Sequence, residues 1–300
     1  MRLRAAPRAR ERAGKRRSLV ILASAAVAGV VALLTAATPA RAPAGDFVRH
    51  IDDSFVRQKA STPATTPAPA PSSTPSSTAF SGVAAVGALF PAGTEAGTTT
   101  SLNVSGAHFC TASVIASPAG DLAVTAAHCV SGKATAYVFV PGYHDGQAPY
   151  GTWQVTRVFT DAAWTAAEDP GDDVAFLQLA AGPGGVPVQA ITGAEQLRTG
   201  APQRDHVTVI GYPDGAAQPV SCVNWTKAYG STQLEFDCGG YPDGTSGGPF
   251  LANVSPATGR GTVIGVIGGY EQGGDTPQVS YSIVFGPNVA SLYQTAVASS

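Results

Sequence analysis

The sequence predicts an all-β fold, a barrel or a sandwich that ends in one helix. From about residue 80 onward, short apolar runs are separated by Gly, Pro, Asn and Asp. Short apolar runs between turn-forming residues are typical of strands. No strand-then-helix pattern repeats along the chain, which argues against a parallel sheet.

Eight apolar runs are predicted strands. Some alternate strictly, as where Val207 and Val209 lie between the polar residues His206 and Thr208, which indicates a strand with one buried face. The eight runs are 114–115, 136–140, 153–159, 174–179, 207–212, 234–238, 262–267 and 281–285.

One helix is predicted near the end of the chain. It follows Gly286 and Pro287, and proline is favoured in the first turn of a helix. Four apolar residues recur there at the spacing of one helical face, namely Val289, Leu292, Tyr293 and Ala296. We therefore expect this helix to pack against the strands.

Residues 1–42 have the features of a secretory signal peptide. The first seventeen residues carry eight Lys or Arg and one acid, an apolar run follows from Leu19 to Leu34, and small residues come next. This order is typical of an exported chain. Cleavage is expected after Ala42, with Ala40 as the second choice. The alternative is an uncleaved anchor, but a run of sixteen residues is short for a hydrocarbon core of ~30 Å.

Residues 43–80 are predicted to be a pro-segment or a linker. Residues 61–78 consist of Ser, Thr, Pro and Ala, which offer little apolar surface to offset the entropy of ordering. Residues 43–60 fit either description. The compact domain is therefore predicted to be 81–300.

The charge of the exported part argues against a nucleic-acid partner. Residues 43–300 contain nine Lys or Arg and nineteen Asp or Glu. A protein that binds phosphate backbones needs a basic surface, and this composition does not supply one.

Four cysteines in an exported chain are expected to form two disulfides. Three pairings are possible, and Cys110–Cys129 with Cys222–Cys238 closes the shortest loops. Their spacing lacks the close pairs typical of a zinc site, so no metal is expected.

The order of the chemically interesting residues selects one class of hydrolase. Ser246 lies in a glycine-rich turn that also fits the G-x-S-x-G pattern of α/β-hydrolases. That fold needs a histidine after the serine, and the five histidines all precede Ser246. An Asp–His–Ser order would have to use Asp121, seven residues before His128, and the strand-rich pattern does not suit that α/β fold. The order His, Asp, Ser remains.

Four sequence blocks resemble the signature blocks of chymotrypsin-fold serine endopeptidases, most closely secreted bacterial members. The resemblance covers about residues 82–295 and implies two Greek-key antiparallel β-barrels, about 82–185 and 200–285, with the active site between them. In chain order the blocks are Phe109-Cys110-Thr-Ala-Ser-Val-Ile115, Leu122-Ala-Val-Thr-Ala-Ala-His128-Cys129, Asp172-Asp173-Val-Ala-Phe-Leu177 and Gly244-Thr-Ser246-Gly-Gly-Pro249.

The resemblance assigns roles to three side chains. Ser246 would attack the scissile carbonyl, His128 would take the serine proton, and Asp173 would orient the imidazole. Asp172 is the competing carboxylate, but in the family the aspartate directly precedes the apolar strand. Cys110–Cys129 would join a strand to the turn that carries the histidine. Cys222–Cys238 would brace the second barrel.

The resemblance also assigns the oxyanion hole and the specificity pocket. The backbone N–H groups of Gly244 and Ser246 would bind the oxyanion. Gly240 holds the place where trypsin-like members carry a pocket aspartate, and Asp243 is expected at the pocket rim. Gly268 and Gly269 would form an open wall that lacks the histidine of glutamate-selective relatives. Cleavage after a neutral residue is expected.

The sequence therefore predicts a secreted serine endopeptidase that acts on polypeptides through an acyl-enzyme. No cofactor, no stable membrane insertion after leader cleavage and a monomeric state are expected. A retained leader would tether the protein to the cell surface. The alternative, from another functional class, is a surface module of low turnover that binds polypeptides or cell-wall material.

Overall fold

The computed structural model describes residues 74–91, 108–131 and 136–300, which all belong to one contact unit, Pro67–Ser300. The predicted signal peptide, 1–42, and most of the predicted linker lie outside these residues. Fourteen strands and three α-helices follow in order: β1 (Thr78–Ala79), β2 (Val86–Pro91), β3 (Cys110–Ile115), β4 (Leu122–Thr125), β5 (Tyr137–Pro141), β6 (Trp153–Thr160), α1 (Ala162–Ala167), β7 (Ala175–Leu179), α2 (Val188–Thr192), β8 (Gln196–Leu197), β9 (His206–Gly211), β10 (Val220–Tyr229), β11 (Gln233–Asp237), β12 (Pro249–Ala252), β13 (Thr262–Val266), β14 (Val279–Ile283) and α3 (Pro287–Ala298).

Strands β2 to β7 close into an antiparallel barrel in the order β2-β3-β4-β7-β6-β5. Closure leaves no unpaired strand edge. The strands β2, β3 and β4 are almost wholly buried, because their residues fill the barrel or pack against the rest of the molecule. The barrel is therefore a rigid support for whatever its loops carry.

Strands β8 to β14 form a second sheet in the order β14-β11-β10-β9-β12-β13-β8. The sheet curves, so that β13, near one end of this order, lies beside β14 at the other end. There the Val266 N–H donates to the Ser282 hydroxyl at 2.9 Å, and the Gly268 N–H donates to the Tyr281 carbonyl at 3.0 Å. These two hydrogen bonds connect the β13 and β14 ends of the sheet, although the two strands do not form a continuous hydrogen-bonded pair.

The strand β1 adds an eighth strand to this second sheet. Thr78 pairs with Ser221 of β10, and the Phe80 N–H donates to the Pro219 carbonyl at 3.1 Å. Just upstream, the Ser77 N–H donates to the Gly239 carbonyl at 2.7 Å. The last residues of the Ser/Thr/Pro/Ala stretch therefore belong to the folded domain. Their backbone N–H and C=O groups pair with a part of β10 that would otherwise be an open sheet edge.

The C-terminal helix α3 packs on the first barrel. Val289, Leu292 and Ala296 are buried, and the Tyr293 hydroxyl donates to the Ala116 carbonyl at 2.7 Å. No helix among the residues that the structure describes is long and apolar enough to span a membrane.

The predicted all-β fold with a C-terminal helix is confirmed. All eight predicted strands are present, seven of them within two residues of their expected bounds, whereas β3 begins four residues before the predicted run 114–115. The prediction missed the short helices α1 and α2 and six strands, namely β1, β2, β4, β8, β10 and β12. In β10 the exposed face carries Val223, Trp225 and Tyr229, so the polar-apolar alternation that marks a strand is weak there.

Candidate active site

One cavity of about 680 Å³ lies where the two sheets meet, and its lining brings together residues from distant parts of the chain. His128 and Cys129 come from the first barrel, and the segment Tyr241–Ser246 comes from the second sheet. The opposite wall is Glu271–Pro277, the loop between β13 and β14. Two of the residues with predicted chemical roles, His128 and Ser246, therefore share one solvent-accessible space.

His128 is placed by a tight turn that directly follows β4. The Val130 N–H donates to the Ala127 carbonyl at 3.0 Å, and the Ser131 hydroxyl donates to the same carbonyl at 2.6 Å. The disulfide Cys110–Cys129 ties this turn to β3. The imidazole is 11% exposed, so it is largely shielded but open to the cavity.

Asp173 lies against His128 and is fully buried. Its Oδ2 is 2.8 Å from His128 Nδ1, and its Oδ1 accepts the His128 backbone N–H at 2.9 Å. Oδ2 also accepts the Gly269 N–H at 2.7 Å. Three donors hold one buried carboxylate, which is the arrangement that allows a buried charge to persist and to fix the orientation of its partner ring.

The neighbouring aspartates have different roles. The Asp172 carboxylate points to the surface and accepts from Asn288 at 2.6 Å. Asp169 caps the short turn Pro170–Asp172 by accepting the Gly171 N–H at 2.8 Å. Of the two carboxylates that the sequence left in competition, only Asp173 contacts the imidazole.

The turn that carries Ser246 is held against the first barrel by backbone contacts. The Thr111 N–H donates to the Ser246 carbonyl at 2.7 Å, and the Thr111 hydroxyl donates to the Gly244 carbonyl at 3.1 Å. Gly247 adopts φ = +79°, and a Cβ there would lie 2.1 Å from Thr125 Oγ1. Glycine is therefore required both for the backbone angle and for the close approach.

The backbone N–H groups of Gly244 and Ser246 are available for a ligand. In the described part of the chain neither has a hydrogen-bond acceptor, whereas the N–H groups of Thr245, Gly247 and Gly248 all do. Gly244 adopts φ = +90°, and a Cβ there would lie 2.3 Å from the Asp214 nitrogen. Two free donors beside a serine form a pocket suited to a developing negative charge.

The four predicted pocket residues divide into two groups. Asp243 lines the cavity, as expected for a residue at its rim. Gly240 lies behind the cavity lining, where its carbonyl accepts the Ser77 hydroxyl at 3.1 Å. Gly268 and Gly269 pack against Asp173, and a Cβ on Gly268 would lie 2.9 Å from its Oδ2. The large apolar side chains in the cavity lining are Phe109, Tyr241 and Ile267.

The cavity wall carries several carboxylates. Asp243, Glu271 and Asp275 all line it and are exposed, and the lining includes neither Lys nor Arg. A substrate that enters this cavity therefore meets a negative field at the rim and apolar surface beside the serine.

The cluster of Cys110, Cys129 and His128 has ligand atoms within 4.8 Å of one another, which is close enough for a metal ion. The two sulfurs are joined in a disulfide, so neither is a free thiolate. A bonded cystine is a poor metal ligand, because metals bind the thiolate form. The second disulfide, Cys222–Cys238, links β10 to the segment that precedes the serine turn.

The other three histidines that the structure describes lie outside the cavity lining. His108 is buried among Phe90, Tyr143 and Tyr212, and burial lowers its pKa. The His206 ring contacts Trp225 at a tilted angle, and His144 lies beside Asp145 in a surface loop. In the described residues, His128 is the histidine that lines the cavity with Ser246.

A closed barrel, a second sheet, and a cavity between them that holds a serine and a carboxylate-bound histidine define a chymotrypsin-fold serine endopeptidase. The trypsin family model matches residues 90–284. The chain belongs to the trypsin family. No curated protein sequence gives a significant match.

Solved structures of bacterial and other proteases share this fold. Anisep, a protease from Arthrobacter nicotinovorans, is 22% identical, with a TM-score of 0.61 over 73% of this chain and 98% of its own. The thermostable serine protease AL20, from an extremophilic microorganism, is 25% identical, with a TM-score of 0.60 over 73% and 99% of the two chains. A Glu endopeptidase in complex with MPD is 14% identical, with a TM-score of 0.58 over 75% and 98%.

Sequence reasoning missed several contacts that hold the site. It did not predict that the Gly269 N–H donates to Asp173 or that the Thr111 hydroxyl donates to the Gly244 carbonyl. It also did not predict that the Gln233 amide accepts the Tyr270 N–H. Each joins segments that are far apart in the sequence. No local pattern in the sequence marks such contacts.

Proposed function

We propose that this protein is a secreted endopeptidase that cleaves peptide bonds through an acyl-enzyme formed on Ser246. His128 takes the proton from the serine and returns it to the leaving amine. Asp173 holds the imidazole by its Nδ1 and stabilises the imidazolium. The observation that carries this proposal is the three-donor contact of Asp173 with His128 and Gly269, beside a cavity that also contains Ser246.

The oxyanion of the tetrahedral intermediate would be bound by the N–H groups of Gly244 and Ser246. Their lack of an acceptor within the described residues supports this role. Removing one donor of this kind typically raises the activation barrier by ~3 kcal/mol. Backbone donors cannot be deleted by side-chain substitution, so the turn must be tested through its glycines.

We propose cleavage after a neutral residue. Gly240 supplies no charge, and the cavity lining includes the large apolar side chains Phe109, Tyr241 and Ile267. A second candidate is cleavage after Lys or Arg, favoured by the three exposed acids on the cavity wall. Digestion of a peptide library by the native protein and by Asp243→Asn distinguishes the two. The first candidate predicts cuts after neutral residues in both proteins. The second predicts cuts after Lys and Arg that are lost in the variant.

Secretion is proposed from the basic and apolar leader, and it agrees with two disulfides in the structure, since such bonds persist in oxidising compartments. N-terminal sequencing of the protein recovered from culture medium tests it. A protein found only inside cells and still carrying residues 1–42 would contradict it.

Reaction with a fluorophosphonate probe tests the catalytic assignment. The native protein is expected to be labelled once, at Ser246, whereas Ser246→Ala and His128→Ala are expected to show no labelling. The control is Ser291→Ala, whose hydroxyl bonds the Pro287 carbonyl on the surface of α3, and it should label like the native protein. An unlabelled native protein would support the binding module, and labelling that persists in Ser246→Ala would place the nucleophile elsewhere.

A further inference from the structure

Gln233 occupies a position between the two halves of the active site. It is the first residue of β11 and is 6% exposed. It lies between the turn that precedes Asp173 in the first barrel and the loop that follows β13 in the second sheet. A buried polar side chain in such a place needs hydrogen-bond partners, and it restricts the groups that supply them.

The Gln233 amide uses both of its ends. Its Nε2 donates to the Pro170 carbonyl at 3.1 Å, and its Oε1 accepts the Tyr270 N–H at 3.2 Å. Pro170 opens the short turn that ends one residue before Asp173. Tyr270 directly follows Gly269, whose N–H donates to Asp173 Oδ2 at 2.7 Å. One side chain thus holds the backbone on both sides of the buried carboxylate.

The loop that begins at Tyr270 needs such an anchor. Glu271 has φ = 50° and Gln272 has φ = 52°, both in the left-handed region that residues with a Cβ rarely adopt. Strained residues of this kind persist only where the surroundings hold them. The same two residues line the cavity, so any relaxation of this loop also changes the cavity wall.

The fit around the amide is tight. A Cβ built on Gly269 would lie 2.3 Å from Gln233 Oε1, so the amide packs directly over the glycine backbone. At position 233, a side chain of another length or polarity would no longer pack over Gly269. The Gly269 N–H would then be free to turn away from Asp173.

We infer that Gln233 is a positioning residue for the reaction. By bonding Pro170 and Tyr270 together, its amide sets the distance between the Asp173 carboxylate and the Gly269 N–H, and so the orientation of Asp173 toward His128. It touches no reacting atom, and its effect on the reaction passes entirely through Asp173 and the loop at Tyr270. This role rests on the proposed function of the site.

Two variants of Gln233 test this role. Gln233→Met keeps the length of the side chain and removes both hydrogen bonds. Gln233→Glu keeps the shape and an acceptor for the Tyr270 N–H, but its carboxylate has no hydrogen to donate to Pro170. Each is assayed at a temperature where circular dichroism shows it folded, and Gln233→Glu alone decides the test if Gln233→Met does not fold.

In both variants we expect the fluorophosphonate labelling rate and kcat to fall at least about tenfold, since small displacements of catalytic groups are costly, while KM changes less. Gln203→Met is the matched control. Its amide donates to the Gly230 and Gln233 carbonyls of the same β10–β11 hairpin at 3.1 and 3.3 Å. It should lower Tm and leave the labelling rate and kcat unchanged.

Native labelling rates and kcat in the Gln233 variants, accompanied only by a lower Tm as in Gln203→Met, would show that Gln233 merely stabilises the fold and would overturn the inference. If the native protein is labelled and the Gln233 variants are labelled at the same rate, only the positioning role of Gln233 is contradicted. A native protein that is not labelled at all removes the proposed function itself.

Discussion

The two sides of the active-site cavity are built by different means. On the first barrel, side chains do the positioning, since the Asp173 carboxylate holds both the ring and the backbone of His128. On the second sheet, backbone conformation does it, since the Ser246 turn depends on Gly244 and Gly247 with positive φ. The first side should therefore be sensitive to changes of charge, and the second to the addition of a single carbon atom.

The supporting sheets differ as well. The first barrel closes on itself and leaves no edge, whereas the second sheet is completed by β1 and by the bonds between β13 and β14. Pieces added from outside the main ladder are the parts of a fold that open first. We therefore expect loss of peripheral segments to affect the serine side before the histidine side.

The largest expected effect tests the side-chain arrangement on the first barrel. Asp173→Asn preserves the shape but removes the charge and favours the wrong imidazole tautomer, so kcat should fall about 10⁴-fold. The measurement is hydrolysis of a peptide ester or amide under saturating substrate. Asp172→Asn is the control, since within the described residues that carboxylate bonds only Asn288, and it should retain native kcat. Equal losses in the two variants would contradict the assignment.

The next effect tests the backbone arrangement on the second sheet. Gly247→Ala places a Cβ within 2.2 Å of both the Thr111 carbonyl and Thr125 Oγ1, so the serine turn must move, and kcat/KM should fall about 100-fold. Gly200→Ala is the matched control. Its φ is +69° with nothing within 4 Å of the added carbon, so it carries similar backbone strain without the clash.

Gly200→Ala should cost about 1 kcal/mol of stability and no activity. If Gly247→Ala shows native kcat/KM, the serine turn has more freedom than its contacts imply, and the contrast between the two sides of the cavity fails.

Removal of β1 tests the difference between the two sheets. A protein that starts at Ser81 loses the bonds of Ser77 and Phe80 to the second sheet, and it should be about 2 kcal/mol less stable than one that starts at Thr74. Hydrogen exchange should quicken in β10 and at Gly239, while β2 to β4 of the closed barrel exchange as before. Equal protection in both proteins would show that β1 contributes little.

The smallest expected effect concerns Glu195, which lies between the two sheets. Its carboxylate accepts the Gly261 N–H at 2.5 Å, and burial raises its pKa to about 7, although that hydrogen bond and the charge of Arg260 oppose the shift. The folded-state pKa exceeds the unfolded value, so the folded state binds a proton more tightly. The stability that this proton provides is complete below about pH 4.5 and is lost as pH rises through about 7.

Glu195→Gln removes this titration and should keep the acceptor for Gly261. Between about pH 6 and pH 8 the native protein should lose about 1 kcal/mol of unfolding free energy relative to the variant. Urea denaturation at the two pH values measures it. Parallel pH dependence in both proteins would mean that Glu195 titrates near its ordinary value in the fold.

Much of the first barrel and of α3 was predictable, because the signals are local. The apolar runs that became β5, β6 and β7 lie between turn residues, and the buried face of α3 appears as a regular spacing in the sequence. Strand β10 was missed because three of its large apolar residues face solvent, so its pattern does not mark one buried side.

The site divides in the same way. Resemblance of short sequence blocks to the family was enough to identify His128, Ser246 and the pair Asp172 and Asp173 as candidate catalytic residues. The sequence favoured Asp173 over Asp172, and the structure adds the contacts: Asp173 bonds the imidazole, whereas the Asp172 carboxylate bonds Asn288. Gly268 and Gly269 pack against Asp173, a contact that the sequence did not predict, and their place on the pocket wall stays a prediction.

The sequence by itself determined the class of fold, the order of the chemical groups and the need for glycine around Ser246, since turn geometry and strand patterning act over a few residues. Only the tertiary structure decided which donors surround Asp173, that β1 belongs to the second sheet, and that the Gln233 amide lies between the two loops. These contacts join residues that are tens to more than a hundred positions apart. Which of them form depends on how whole sheets pack, and no short stretch of sequence carries that information.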